Sequence, residues 1–158
     1  MLTEWLECKY PNILISYESA IKAYSNEDEV GTLTHCRNVI TGIFTYSKND
    51  KTKWYTGLQK ACIRDKNIEK IKAPINIISW KNGDTHNNDK NLQYNYPRFK
   101  TIAQVYSFLC DLGNHINEAP LVNGKPDYEI TVLSDSFMGL RMTEDILIWL
   151  YKNQQDNL

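Results

Sequence analysis

"NEDEVGTLTHCRNVITGIF", residues Asn26 to Phe44, is the stretch whose reading decides the fold class. Val30, Leu33, Arg37, Ile40 and Phe44 recur every three or four residues and share one face of a helix, with Cys36 and Ile43 beside them. The acidic run Glu27-Asp28-Glu29 suits the positive end of a helix dipole, and Ser25 to Asp28 resembles a capping start. Gly42 lowers helix propensity inside the run, which implies close packing at that point.

The same period extends in both directions. "PNILISYESAIKAYS" reads as a shorter helix with Pro11 in its first turn, and "LTEWLECK" before it as a helical turn or two. "KTKWYTGLQKACIRD" sets Trp54, Leu58, Ala61 and Cys62 at helical spacing. "INIISW" is short and β-branched, but it has no evident strand partner and is expected to be an extended or helical buried segment. The polar run "KNGDTHNNDKNLQYNYP" is a loop in which His86 faces solvent. After Pro97 a stripe of Phe99, Ile102, Val105 or Tyr106, Leu109 and Leu112 marks another helix, which Gly113 is expected to end in a left-handed conformation. A second loop carries the turn pair Asn123-Gly124. The longest helix is last, in "DYEITVLSDSFMGLRMTEDILIWLYKN", with Ile130, Leu133, Phe137, Leu140, Leu147 and Tyr151 at three-four spacing. Ile146, Trp149 and Leu150 widen its apolar face, which suggests cover by a second copy as well as by its own domain. The expectation is an all-α bundle of about five helices with a long C-terminal helix. Residues 1–158 form a single domain, either a whole protein or one domain of a larger one.

Composition sets the class. The chain of 158 residues has 42% hydrophobic and 23% charged residues, normal for a globular domain. It lacks an apolar run of about 18 residues, so no membrane span is expected. The start "MLTEWLECKY" has an acidic flank where a secretory signal would be basic, and a cytoplasmic location is the expectation. Cys8, Cys36, Cys62 and Cys110 are widely spaced, without a C-x-x-C pair, and read as separate thiols; neither a metal nor a cofactor is expected. Net charge is −1, yet the segment from Lys48 to Lys72 is basic. Lys53, Lys60 and Arg64 are its candidate phosphate contacts, against the simpler account of a solvated helix face.

Several chemistries leave no trace: there is no phosphate-binding glycine loop, G-x-S-x-G, H-E-x-x-H or dinucleotide fingerprint. Asp28-Glu29 and Glu144-Asp145 are adjacent carboxylates, and neighbours on a helix point about 100° apart, so neither pair converges. Arg37 falls on an apolar stripe and needs a partner or an interface if it is buried. Arg141 can pair with Asp145 four residues on. In "LCDLGNHINEAP", Asn114 can stabilise the turn after Gly113. His115 then either closes the helix or, with Arg37 brought near by packing, acts as a base.

Three stretches in order resemble the HEPN superfamily of prokaryotic helical domains, of the abortive-infection or toxin–antitoxin kind. "THCRNVITGIF" looks like an early helix, "VYSFLCDLGNHINEAP" like the penultimate helix with the Gly-x-His beyond it, and "GLRMTEDILIWLYK" like the last helix. Catalytic members are metal-independent RNases with an Arg-polar-x3-His type motif, in which histidine moves the 2′-OH proton and arginine stabilises the phosphate. Arg37-Asn38 begins like that motif, but Gly42 stands where histidine would fall, and the window before His115, Phe108 to Asp111, has no arginine. The resemblance therefore implies a HEPN-like interaction or dimerisation module of an antiphage defence or toxin–antitoxin system, lacking the usual RNase motif, with a homodimer or a partner defence protein. Two alternatives stand beside it. One is a divergent metal-independent endoribonuclease using His115 and Arg37. The other is a non-catalytic RNA- or nucleotide-binding regulator using the Lys51–Lys72 face, and the candidate binding residues are Asn38, Asn114, Lys53, Lys60 and Arg64.

Overall fold

The structure, a computed structural model, describes residues 1–45, 54–65, 68, 96–114, 116, 121–126 and 129–156. "INIISW" and the loop holding His86 lie outside the described residues. The fold is all-α, with a long C-terminal helix. Its helices among the described residues are α1 (Leu2–Lys9), α2 (Pro11–Ser25), α3 (Glu29–Ile43), α4 (Trp54–Ala61), α5 (Pro97–Asp111) and α6 (Leu133–Asp156). A two-residue-per-strand hairpin joins β1 (Leu121–Val122) to β2 (Lys125–Pro126), antiparallel, with Leu121 opposite Pro126. Its turn is the Asn123-Gly124 pair read from sequence. Both residues have positive φ, 53° and 76°, as a two-residue hairpin of primed type requires. The chain groups into two units, Met1–Ile43 with Val105–Leu158, and Phe44–Gln104.

In the first unit, α3 packs against both α2 and α6. The reversal from α2 to α3 is a Schellman ending: Glu27 takes a left-handed φ of 56°, Asp28 N–H donates to Ala23 O (2.9 Å) and Glu27 N–H to Tyr24 O (3.0 Å). Asp28 then caps α3, its Oδ1 accepting from Gly31 N–H at 2.9 Å. Ser25, expected within the cap, instead returns its hydroxyl to Ile21 O. Along α3 the fully buried side chains are Thr32, Leu33, Cys36, Val39 and Ile40, while Val30 is exposed. Each buried leucine or isoleucine contributes about 1.5–3 kcal/mol. α1 is held by Trp5, whose ring meets Tyr10 at 5.2 Å and Tyr151 at 5.5 Å. Gln154 donates to the Tyr10 hydroxyl at 3.1 Å.

Two expectations are corrected here. Gly113 ends α5 without a positive φ; glycine is required because a Cβ would run into the Leu109 carbonyl and come within 3.3 Å of Leu33 Cβ and Thr34 N. The last helix begins at Leu133, leaving Ile130 outside it and exposed, and Phe137 is turned largely to solvent. The buried face of α6 is Ser136, Gly139, Leu140, Thr143, Ile146, Leu147 and Leu150. Its buried hydroxyls are satisfied by carbonyls, Ser136 Oγ on Glu29 O (3.1 Å) and Thr143 Oγ1 on Gly139 O (2.8 Å), so small polar residues serve as core. Arg141 pairs with Glu144 at 2.8 Å, and Glu144 also accepts from the Tyr17 hydroxyl at 2.6 Å. That bond ties α2 to α6. Burial, then the Glu144 carboxylate, holds the Tyr17 phenol well above the ordinary tyrosine range.

In the second unit, Trp54, Leu58 and Cys62 of α4 and the turn after it are buried, as their spacing predicts, and so are Phe99, Ile102 and Ala103 of α5. Pro97 occupies the first position of α5, where its missing N–H costs nothing. Asp65, itself buried, caps that helix from a distance in sequence. Its Oδ2 accepts from Arg98 N–H at 3.2 Å and Phe99 N–H at 3.5 Å, and its Oδ1 pairs with the Arg98 guanidinium. One carboxylate thus satisfies otherwise orphaned donors of the first turn.

Replacing Asp65 by Asn is expected to cost about 2 kcal/mol in urea unfolding, since a charged acceptor on helix-end donors is lost while half-exposed Arg98 turns to water. A second expectation concerns alkali. Cys36 is pushed by burial from an ordinary value near 9 to about 12, and Tyr17 is also raised. Both protonated forms belong to the folded state, so stability is full below about pH 9 and falls as pH rises through the folded values. Tyr17→Phe should lower the neutral plateau by about 1 kcal/mol and make the alkaline decline shallower, as read by urea titrations at several pH values.

Candidate functional site

Arg37 projects from α3 one turn beyond Leu33 and is half-buried. Its guanidinium lies 6.0 Å from the centre of the Tyr106 ring, and its Nη1 donates to Asn38 Oδ1 at 3.2 Å. Its Nε is fully buried without a hydrogen-bond acceptor. Among the described residues no carboxylate lies within ion-pair distance of it. Burial works against the charged guanidinium, and Tyr106 and Cys110 work for it, so that Arg37 stays a cation. Tyr106 and Cys110 stand one turn apart on α5 and are both buried. Burial raises both, the phenol and the thiol alike, so both are protonated at neutral pH.

This cluster exists because of the tight contact at Gly113. The absence of a side chain there lets the end of α5 reach α3 at Leu33 and Thr34. One turn further along α3 stands Arg37, and one to two turns back along α5 stand Cys110 and Tyr106. An arginine with an aromatic face beside it, a neighbouring amide and no carboxylate is suited to hold an anion, either a carboxylate or a phosphate. The described groups supply positive charge and hydrogen-bond donors. Neither the phenol nor the thiol, both protonated, is a base or a nucleophile near neutral pH.

Of the residues singled out from sequence, Arg37 and Asn38 are brought together, joined by their hydrogen bond. Asn114 is exposed in the turn that follows α5. Lys60 and Arg64 are exposed in the last turn of α4 and just beyond it, and belong to the other unit. His115 and Lys53 lie outside the described residues. Tyr106 and Cys110 were not singled out for this role. Their i, i+4 spacing, which puts a hydroxyl and a thiol on one line of α5, is the signal that marks them.

Two of the remaining thiols, Cys36 and Cys62, are buried too. Cys62 is pushed up to about 12 by burial and by the Asp65 carboxylate, and Cys36 equally by burial, whereas Cys8 is exposed. Among the described residues no group of histidine, cysteine and carboxylate side chains converges as a metal site. An aromatic disulfide reagent near neutral pH should therefore titrate one thiol fast in the folded protein and all four after unfolding, with the fast phase lost in Cys8→Ser.

Among the described residues no helix is long and apolar enough to cross a membrane. No family model, curated protein or solved structure matches the chain.

Proposed function

We propose that the chain is a HEPN-like interaction module of a prokaryotic antiphage defence or toxin–antitoxin system, which acts by holding a partner protein and does not cleave RNA. The observation that carries this reading is the set of apolar side chains left uncovered where α6 begins: Ile130 is 78% exposed, Val132 48%, Phe137 52% and Met138 46%. Scattered single exposures are ordinary, but four within nine residues of a helix start form a patch of the kind that marks an interaction site. The order of the three HEPN-like stretches supports the class of module. The departures from the RNase motif at Gly42 and in the window before His115 support a role without cleavage.

A second reading, a divergent metal-independent endoribonuclease, draws on the Arg37 guanidinium, which is half-buried and has no carboxylate beside it among the described residues. In that reading Arg37 holds the scissile phosphate and His115 is the base.

Labelled total RNA and tRNA, incubated with the protein in EDTA, distinguish the two. RNA left intact by the folded wild type agrees with the interaction module. Cleavage that Arg37→Ala and His115→Ala both abolish overturns it and establishes the endoribonuclease. Binding of RNA without cleavage, weakening steeply with salt, also overturns it, in favour of a regulator that tracks phosphates.

A further inference from the structure

Three segments of the first unit meet at one end. Ser136 Oγ donates to Glu29 O at 3.1 Å, which sets the first turn of α6 against the first residue of α3. The Tyr24 and Phe137 rings lie 6.0 Å apart, which sets the last turn of α2 against the same turn of α6. Ile21 and Val30, on those neighbouring segments, are exposed as well, so this end of the unit leaves an apolar area of side chains from α2, α3 and α6 uncovered.

The charges around that area are mostly acidic. Glu27, Asp28 and Glu29 lie between Tyr24 and Val30, Glu129 precedes Ile130, and Asp135 lies between Val132 and Phe137. Asp28 and Asp135 are fixed in place by capping bonds, to Gly31 N–H and Val132 N–H, each of 2.9 Å. Each thereby offsets about half a positive charge at a helix start. The remaining carboxylates have little to oppose them: Lys22 is on the same turn of α2, and the charge of Arg141 is spent on Glu144. Carboxylates therefore outnumber cations around the apolar area.

Resting on the interaction-module reading, we infer that this end of the first unit docks an amphipathic protein segment whose apolar stripe is flanked by lysine or arginine. The apolar stripe covers Val132, Phe137 and Met138, and its basic flanks meet Glu27, Glu29 and Glu129. The same charge pattern disfavours a second copy of the chain. A two-fold contact through this face brings its acidic rim against an identical one.

The test uses the full chain and two labelled synthetic peptides with the same leucine stripe at helical spacing, one with lysine and one with glutamate on the polar face. Fluorescence anisotropy at about 0.05 M salt should show the lysine peptide bound at least about tenfold more tightly, with the preference shrinking at about 0.5 M. Phe137→Ser should abolish binding, and Glu27→Gln with Glu129→Gln should remove most of the preference while leaving the apolar contact. Met138→Ser serves in place of Phe137→Ser if loss of the Tyr24 contact unfolds the protein, as circular dichroism will show. Equal binding of both peptides overturns the inference, as does lysine-peptide binding that survives both apolar variants. Sedimentation that shows a wild-type dimer and a Phe137→Ser or Met138→Ser monomer also overturns it, assigning the face to a second copy while the interaction-module reading stands. Failure of that reading itself shows in the RNA assay, independently of either peptide.

Discussion

The first unit depends on how closely two other segments approach Leu33. That side chain is fully buried on α3 and meets a glycine from each of two other segments: Gly113 at the end of α5 and Gly139 within α6. A Cβ at Gly139 would collide with Leu33 Cδ2 and stand 3.0 Å from Leu109 Cδ2. At Gly113 it would press on Leu33 and the α3 backbone. Interiors are packed at near-crystalline density, so such a junction closes best around small residues. Both surfaces with functional interest follow from its being closed.

The first consequence is rotational. With Gly139 facing Leu33, the residue two positions earlier is turned about 200° around α6, which is where Phe137 stands. The helix therefore buries Ser136, Gly139 and Thr143 and shows part of its aromatic and methionine content to solvent. The exposed apolar area at the start of α6 is thus the direct complement of a core built from small side chains. The second consequence is translational. Close approach at Gly113 carries the end of α5 along α3, so that Tyr106 and Cys110 come beside Arg37.

The same junction explains which parts of the structure were legible in the sequence. Helix existence followed from periodicity: α2 spans Pro11–Ser25 as its run of residues predicts, and Leu33, Ile40, Leu58, Phe99 and Leu109 are buried as their spacing requires. In α6, Leu140, Ile146, Leu147 and Leu150 are buried as the stripe predicts, but the facing of its first turns was not legible, because there serine and glycine form the buried face. Nor was the start of α6, since Thr131, whose hydroxyl donates to Leu112 O at 2.8 Å, holds the preceding residues outside the helix through a contact nineteen positions away in sequence. Gly113 was read as a terminator by conformation when it serves by size, against the Leu109 carbonyl first and then against Leu33, eighty positions earlier. At the candidate site, Arg37 and Asn38 stood out as polar residues set in an apolar run. Tyr106 looked like core, and it is core, with a ring that also faces a guanidinium.

Arg37 poses a sharper question than its position on a stripe suggested. A guanidinium whose buried Nε has no acceptor is costly unless something offsets it, and the Asn38 hydrogen bond and the Tyr106 ring do so only in part. Replacing arginine by a residue that packs as well without charge is often neutral or stabilising in a core. A cation kept half-buried, without a carboxylate among the described residues, therefore contributes little to the fold that an apolar side chain would not. In the endoribonuclease reading its role is to hold the scissile phosphate.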